Sequence, residues 1–257
     1  MWGGDIISAL ADMIPQLRGQ LSESWRRFKA WRRLEPPERA KPVPRSLLRF
    51  WVFTLFMLLD EFNCFVILPC ILHMLLCFSL MRPAEVRGLD WADISFDENS
   101  GPNGVVFAAT IAIDHSKTSV RKLIVETLVI TDPFIIFVLL LAKDFAVSSK
   151  VWPFGPTFFA DFLKELQRST GLSGFVPYSF KRGGASAHFA YFRSYDRLCQ
   201  DGRWASVAAA RCYIDDAVAS LVRLRVPPHT CIASHARTLQ RMMVKSGRVG
   251  YSNVLEM

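Results

Sequence analysis

No two of the six cysteines in this 257-residue chain (64, 70, 77, 199, 212 and 231) stand at C-x-x-C spacing, and all lie in apolar or helical surroundings. Neither a zinc ribbon nor a disulfide framework is indicated; the thiols read as small buried hydrophobes of a reducing, intracellular compartment. The five histidines (73, 115, 188, 229 and 235) never form H-E-x-x-H, and no glycine-rich loop opens a helix. No metal and no cofactor is therefore expected. No signal peptide is expected, since Asp5, Asp12 and Pro15 interrupt the first 21 residues. Internal repeats are absent too. Charge is scarce, at 21% against 51% apolar residues. That balance excludes a disordered chain and supports one large domain, or one domain with a small appendage.

The most apolar stretch runs from Trp51 to Met81, and its 18 residues from Cys64 to Met81 carry no formal charge. That is the lower limit of a membrane span. Asp60, Glu61 and Asn63 break the longer run, Pro69 lies in the shorter one, and His73 sits inside it. Buried core helices are the expectation, with a membrane protein through 51–81 as the distant alternative. The formal charge of +8 is concentrated: Arg18 to Arg49 holds ten basic and three acidic residues. Within it, Arg26, Arg27, Lys29, Arg32 and Arg33 alternate with Trp25 and Trp31. A solvated helix face explains such a run, and so do contacts to a DNA backbone. The cluster Pro36, Pro37, Pro42 and Pro44 then reads as a linker.

Ile6, Leu10, Ile14, Leu17 and Leu21 recur at helical steps, giving one or two helices over 1–35. Residues 46–81 read as two helices divided near 60–63, and a third starts at Arg82-Pro83, where proline is tolerated. Gly104 to Ile113 and Lys122 to Ile130, joined by 114–121, are expected to pair as an antiparallel hairpin. Helices follow over 133–145, 156–170 (ending at Gly171) and 177–192, then a turn at 201–204 and a helix over 206–225 closed by Pro227-Pro228. The fold class is mostly α with a small antiparallel sheet.

Three segments carry the chemistry. Arg82-Pro-Ala-Glu85 is followed by Leu89-Asp-Trp-Ala-Asp-Ile94; Lys117 lies in the hairpin turn; and Tyr178-Ser-Phe-Lys181-Arg182-Gly-Gly leads through Gly202-Arg203-Trp204 to Tyr213. In order and spacing these resemble the catalytic domain of the tyrosine recombinase (phage integrase) family, which shares its chemistry with type IB topoisomerases. The resemblance covers roughly residues 42–225. It implies a catalytic domain over 42–225, a partial DNA-binding, core-binding-like segment and linker over 1–41, and a C-terminal tail over 226–257.

What the resemblance implies for the site follows residue by residue. Arg82 matches the first catalytic arginine and Glu85 its acidic helper. Lys117 matches the hairpin lysine. Trp204, nine residues before Tyr213, takes the family's His/Trp position, and Tyr213 is the nucleophile. Two positions depart: the family's His-x-x-Arg is here Tyr178-Ser-Phe-Lys181, with Arg182 displaced by one place, about 100° around a helix. Arginine's planar fork binds two phosphate oxygens at once, which a lysine cannot do. Tyrosine titrates near pH 10 and is a poorer base than histidine. Taken singly, each residue has a plainer explanation, such as a surface arginine, a solvated turn lysine or a core aromatic. The expected activity is DNA strand cleavage and rejoining, in site-specific recombination or integration of a mobile element, through a 3′-phosphotyrosine. The alternative is a catalytically impaired DNA-binding relic. Implied partners are double-stranded DNA and further copies of the chain, as a tetramer on paired sites, in the nucleus of a eukaryote or the cytoplasm of a bacterium.

Overall fold

The computed structural model describes residues 2–17, 19–27, 40–60, 63–97, 108–113 and 126–214. The chain divides into two units, Met1–Arg39 and Ala40–Met257. In the first, helix α1 (Trp2–Met13) stops before Pro15, a short 3-10 turn covers Pro15–Leu17, and residues 22–27 are helical again. Proline lacks the N–H that would continue the helix, so the break falls where the sequence places it.

In the second unit, α2 (Arg45–Phe56) follows Pro44 and buries Leu47, Leu48, Phe50, Trp51, Val52 and Leu55. The apolar run is then cut by reciprocal capping. Asn63 N–H donates to Asp60 Oδ1 (2.9 Å), Asp60 N–H donates to Asn63 Oδ1 (3.0 Å), and Asn63 Nδ2 donates to the Leu58 carbonyl (2.6 Å). These bonds satisfy the polar groups that a helix end leaves open. Helix α3 (Cys64–Phe78) resumes with twelve of its fifteen residues buried. It packs against α2, α4, α5 and α7 and is the axis of the core. At about 22 Å it falls short of a bilayer's hydrocarbon thickness, and among the described residues no helix is long and apolar enough to cross a membrane.

Helix α4 (Pro83–Gly88) leads through a 3-10 turn (Trp91–Asp93) into an antiparallel sheet. Its order is β1 (Ile94–Phe96), β2 (Ala109–Ile113), β3 (Glu126–Ile130), with Ile94 opposite Ile111 and Ile111 opposite Leu128. The hairpin pairing of the latter two strands is as expected. Strand β1 is an addition, too short to leave a periodic signal. Helix α5 (Pro133–Asp144) is capped by the Asp132 carboxylate, which accepts from Phe134 N–H (2.9 Å) and Ile135 N–H (3.3 Å). Helix α6 (Phe158–Thr170) ends on Gly171 at φ +68°, the left-handed cap that glycine takes without strain.

Helix α7 (Tyr178–Phe192) carries the Gly-Gly pair, whose purpose is close packing. A Cβ on Gly183 would lie 1.9 Å from the Val43 carbonyl oxygen, and one on Gly184 would lie 1.8 Å from that of Phe78. Helices α8 (Tyr195–Gly202) and α9 (Val207–Arg211) follow, capped by Ser194 and Ser206. Here the structure corrects the sequence reading. Asp201 and Gly202, expected in a turn, end a helix the pattern did not reveal; the helix expected over 206–225 is observed over Val207–Arg211 and breaks at 212–214, while 215–225 lie outside the described residues.

Candidate active site

The site grows from the first turn of α4. Arg82 precedes Pro83, and the Glu85 carboxylate folds back to accept the Arg82 backbone N–H (2.7 Å), as in a capping box. The same carboxylate binds the Arg82 guanidinium through Nη1 and Arg203 Nη2 at 2.7 Å. Its side chain is only 2% exposed. Burial opposes its ionisation, but Arg203, the Arg82 N–H and both guanidinium bonds more than offset that and hold the Glu85 carboxyl below the usual range. Arg82 keeps 22% of its side chain exposed, so it is held firmly yet open to an anion.

Helix α7 contributes from its first turn. Lys181 is fully buried; its Nζ donates to the Leu80 carbonyl and lies 4.8 Å from the centre of the Trp204 ring. Burial, with the Arg82 charge adding to it, lowers its ammonium to about 7. Tyr178, three residues earlier, places its hydroxyl 2.9 Å from that of Tyr213. Burial foremost, then the hydrogen bond to Tyr213, pushes the Tyr178 phenol well above its ordinary range. It therefore stays protonated and can donate to the Tyr213 oxygen. Arg182 serves elsewhere: its guanidinium donates to the Ala40 carbonyl.

The turn after α8 closes the cluster. Gly202 leaves space for the Trp204 ring, which a Cβ there would meet at 1.9 Å. Trp204 lies 4.8 Å, centre to centre, from Tyr213, and its buried indole N–H has no acceptor among the described residues. A buried donor without a partner is costly unless a bound group supplies one. Arg203, at φ +57°, reaches both Glu85 and Glu126 of β3, the latter at 3.2 Å.

The structure thus gathers Arg82, Glu85, Tyr178, Lys181, Trp204 and Tyr213 from α4, α7 and the turns flanking α9. Arg82 is close enough for its charge to act on Lys181 and Tyr178. Lys117 lies outside the described residues, as do Lys29, Arg32 and Arg33. Arg26 and Arg27 belong to the other unit; they are exposed and paired with Glu23 at 2.8 and 3.0 Å. Sequence reasoning missed Arg203 and Glu126. The Gly-Arg-Trp triplet marked the turn, but nothing in it announced a buried arginine. Among the described residues no group of His, Cys, Asp and Glu could hold a metal ion. The donors available to a ligand are cationic or neutral N–H and O–H groups, which suit a phosphate.

No protein-family model matches the chain, and no curated protein does. Solved structures do. The XerH site-specific recombinase bound to difH substrate, in a pre-cleavage complex, superposes with a TM-score of 0.52 at 14% identity, over 67% of this chain and 49% of that one. The same recombinase on a palindromic difH substrate, after cleavage, gives a TM-score of 0.52 at 12% identity, over 82% and 53%. This chain spans about half the length of the recombinase chains it matches. The likeness establishes the fold: mostly helical with a small antiparallel sheet, as in the tyrosine recombinase catalytic domain.

Proposed function

We propose that the chain breaks and rejoins DNA strands, in site-specific recombination or integration of a mobile element, through a covalent 3′-phosphotyrosine on Tyr213. One observation carries this reading: cations, an indole N–H with no partner among the described residues and a phenol from separate segments meet in one partly open cluster. In the reaction, the Tyr213 oxygen attacks the scissile phosphorus, forming a P–O bond and losing its proton to solvent. The bond to the 5′-oxygen breaks, and that oxygen takes a proton from an acid, for which we propose Lys117, at the position of the family's hairpin lysine. Arg82 binds non-bridging oxygens as charge builds on them, and the Trp204 N–H donates to the same group. Tyr178 stabilises the attacking oxygen by hydrogen bonding. The phosphotyrosyl bond conserves the energy needed for a second DNA end to reseal the strand.

The substrate in this account is double-stranded DNA, tracked by the basic segment of residues 18–49 and bound by several copies of the chain on paired sites. A second reading, DNA binding without chemistry, is favoured by Lys181. At the place where the family has its second arginine, the ammonium is fully buried and bonded to Leu80 rather than open to a phosphate. A randomised pool of nicked duplexes separates the two, because the nick lets the short leaving strand diffuse away and traps any intermediate. Cleavage yields a protein–DNA band that survives denaturation; a binder yields a shifted band in native gels alone.

A further inference from the structure

We infer that Arg203 is a positioning residue that ties Arg82 to the turn bearing Trp204, whose ring lies against Tyr213, an inference that rests on the DNA-cleavage reading above. Three observations converge on it. The first is its backbone. Arg203 caps α8 in the left-handed conformation at φ +57°, a position glycine fills without strain and a side chain fills only when its surroundings enforce it.

The second is what the side chain does there. It is 8% exposed, and its two terminal nitrogens go to carboxylates on different elements: Nη2 to Glu85 at 2.7 Å and Nη1 to Glu126 at 3.2 Å. Only a guanidinium presents two donors in a fixed fork that can bridge two such acceptors; a lysine ammonium reaches one point. The third is connectivity. Glu85 in turn holds Arg82 through both its backbone N–H and its guanidinium. The next residue along the chain, Trp204, lies against Tyr213 and over Lys181. One side chain therefore joins the cation that would face the phosphate, the edge strand β3 and the turn whose Trp204 packs on the nucleophile.

The charge arrangement has a consequence for Arg82. The two oxygens of Glu85 are divided between the arginines, Oε1 with Arg82 Nη1 and Oε2 with Arg203 Nη2. Because Arg203 shares Glu85, Arg82 keeps donors for a phosphate while remaining fixed in direction. Backbone strain at position 203 is offset by this bridge.

The test uses the full chain and two variants, Arg203→Gly and Arg203→Lys. Arg203→Gly removes both bridge and strain; Arg203→Lys keeps charge but reaches one carboxylate and guards against a misfolded glycine variant. With ¹³Cζ-labelled tyrosine, the Tyr178 and Tyr213 resonances, assigned with Tyr178→Phe and Tyr213→Phe, should move in Arg203→Gly and return part-way in Arg203→Lys. On the nicked duplex pool, Arg203→Gly should slow adduct formation at least tenfold with DNA affinity changed less than threefold, and Arg203→Lys should recover part of the rate. Unmoved tyrosine resonances overturn the inference whatever the adduct does, and so does a rate within twofold of the unsubstituted protein. Moved resonances with no adduct from the unsubstituted protein leave Arg203's positioning intact and sink the cleavage reading instead.

Discussion

Acid should loosen this protein through His73 before it reaches the carboxylates. The ring is fully buried in α3, stacked on Phe159 at 4.0 Å and edge-on to Trp152 at 4.8 Å, and neither nitrogen has a partner among the described residues. Burial first, and the Arg87 charge second, lower its pKa to about 3, against 6.5 for an exposed histidine. The unfolded chain therefore takes up a proton below 6.5 that the folded chain refuses until about 3. Stability from this residue is complete above pH 6.5 and is lost as pH falls, at about 1.4 kcal/mol per pH unit. Between pH 7.5 and 5 the loss is about 2 kcal/mol by the same relation. Glu85, whose depressed pKa makes its contribution present above about 4.5 and lost only below it, hardly enters that interval. His73→Phe preserves the ring stack and removes two unsatisfied nitrogens, an exchange that is neutral or favourable at neutral pH. Urea unfolding followed by circular dichroism at both pH values should show about 2 kcal/mol of acid sensitivity in the unsubstituted protein that is missing from His73→Phe. Equal sensitivity in the two proteins would refute the reasoning.

Gly183→Ala should destabilise by about 3 kcal/mol or more, because the new methyl meets the Val43 backbone and strains the Val43 N–H bond to the Ser179 carbonyl (3.0 Å); a loss under about 1 kcal/mol in urea would contradict that packing. Lys181 carries its charge below about 7 and sheds it above. Its attraction to the Trp204 ring and its positive field at the site should fade as pH rises through that value. The ratio of adduct-formation rates, unsubstituted protein over Lys181→Arg, should accordingly drop across pH 6 to 8, and a flat ratio would show that the ammonium plays no part. Tyr178→Phe should slow the same step about tenfold, the value of one lost hydrogen bond to the attacking oxygen, while leaving DNA affinity unchanged in a filter-binding assay.

The sequence disclosed the candidate cluster in the parts that depend on residue type and order. Arg82 with Glu85 three residues on, and Trp204 nine residues before Tyr213, form a spacing that survives folding intact. It also placed the break in the apolar run at Asp60 to Asn63, where short polar side chains cap helix ends. It could not choose between Lys181 and Arg182, since neighbours on a helix differ only in the face they present, and packing against Leu80 and Ala40 decides that. Arg203 was illegible for a different reason. Its role needs a left-handed backbone and two carboxylates brought from 118 and 77 residues away, and no local pattern encodes either. Strand β1 and helix α8 are too short to impose a period of their own.

The most direct test of the central claim is where DNA becomes attached. Protein incubated with the nicked duplex pool, then digested with protease and nuclease, should yield by mass spectrometry a peptide whose Tyr213 carries a nucleotide through its 3′-phosphate. Tyr213→Phe, which removes one hydroxyl and keeps the ring against Trp204, should bind the same DNA and yield no adduct. An adduct that persists in Tyr213→Phe, or one mapped to Tyr178, would contradict the account, as would tight DNA binding by the unsubstituted protein with no adduct on any residue.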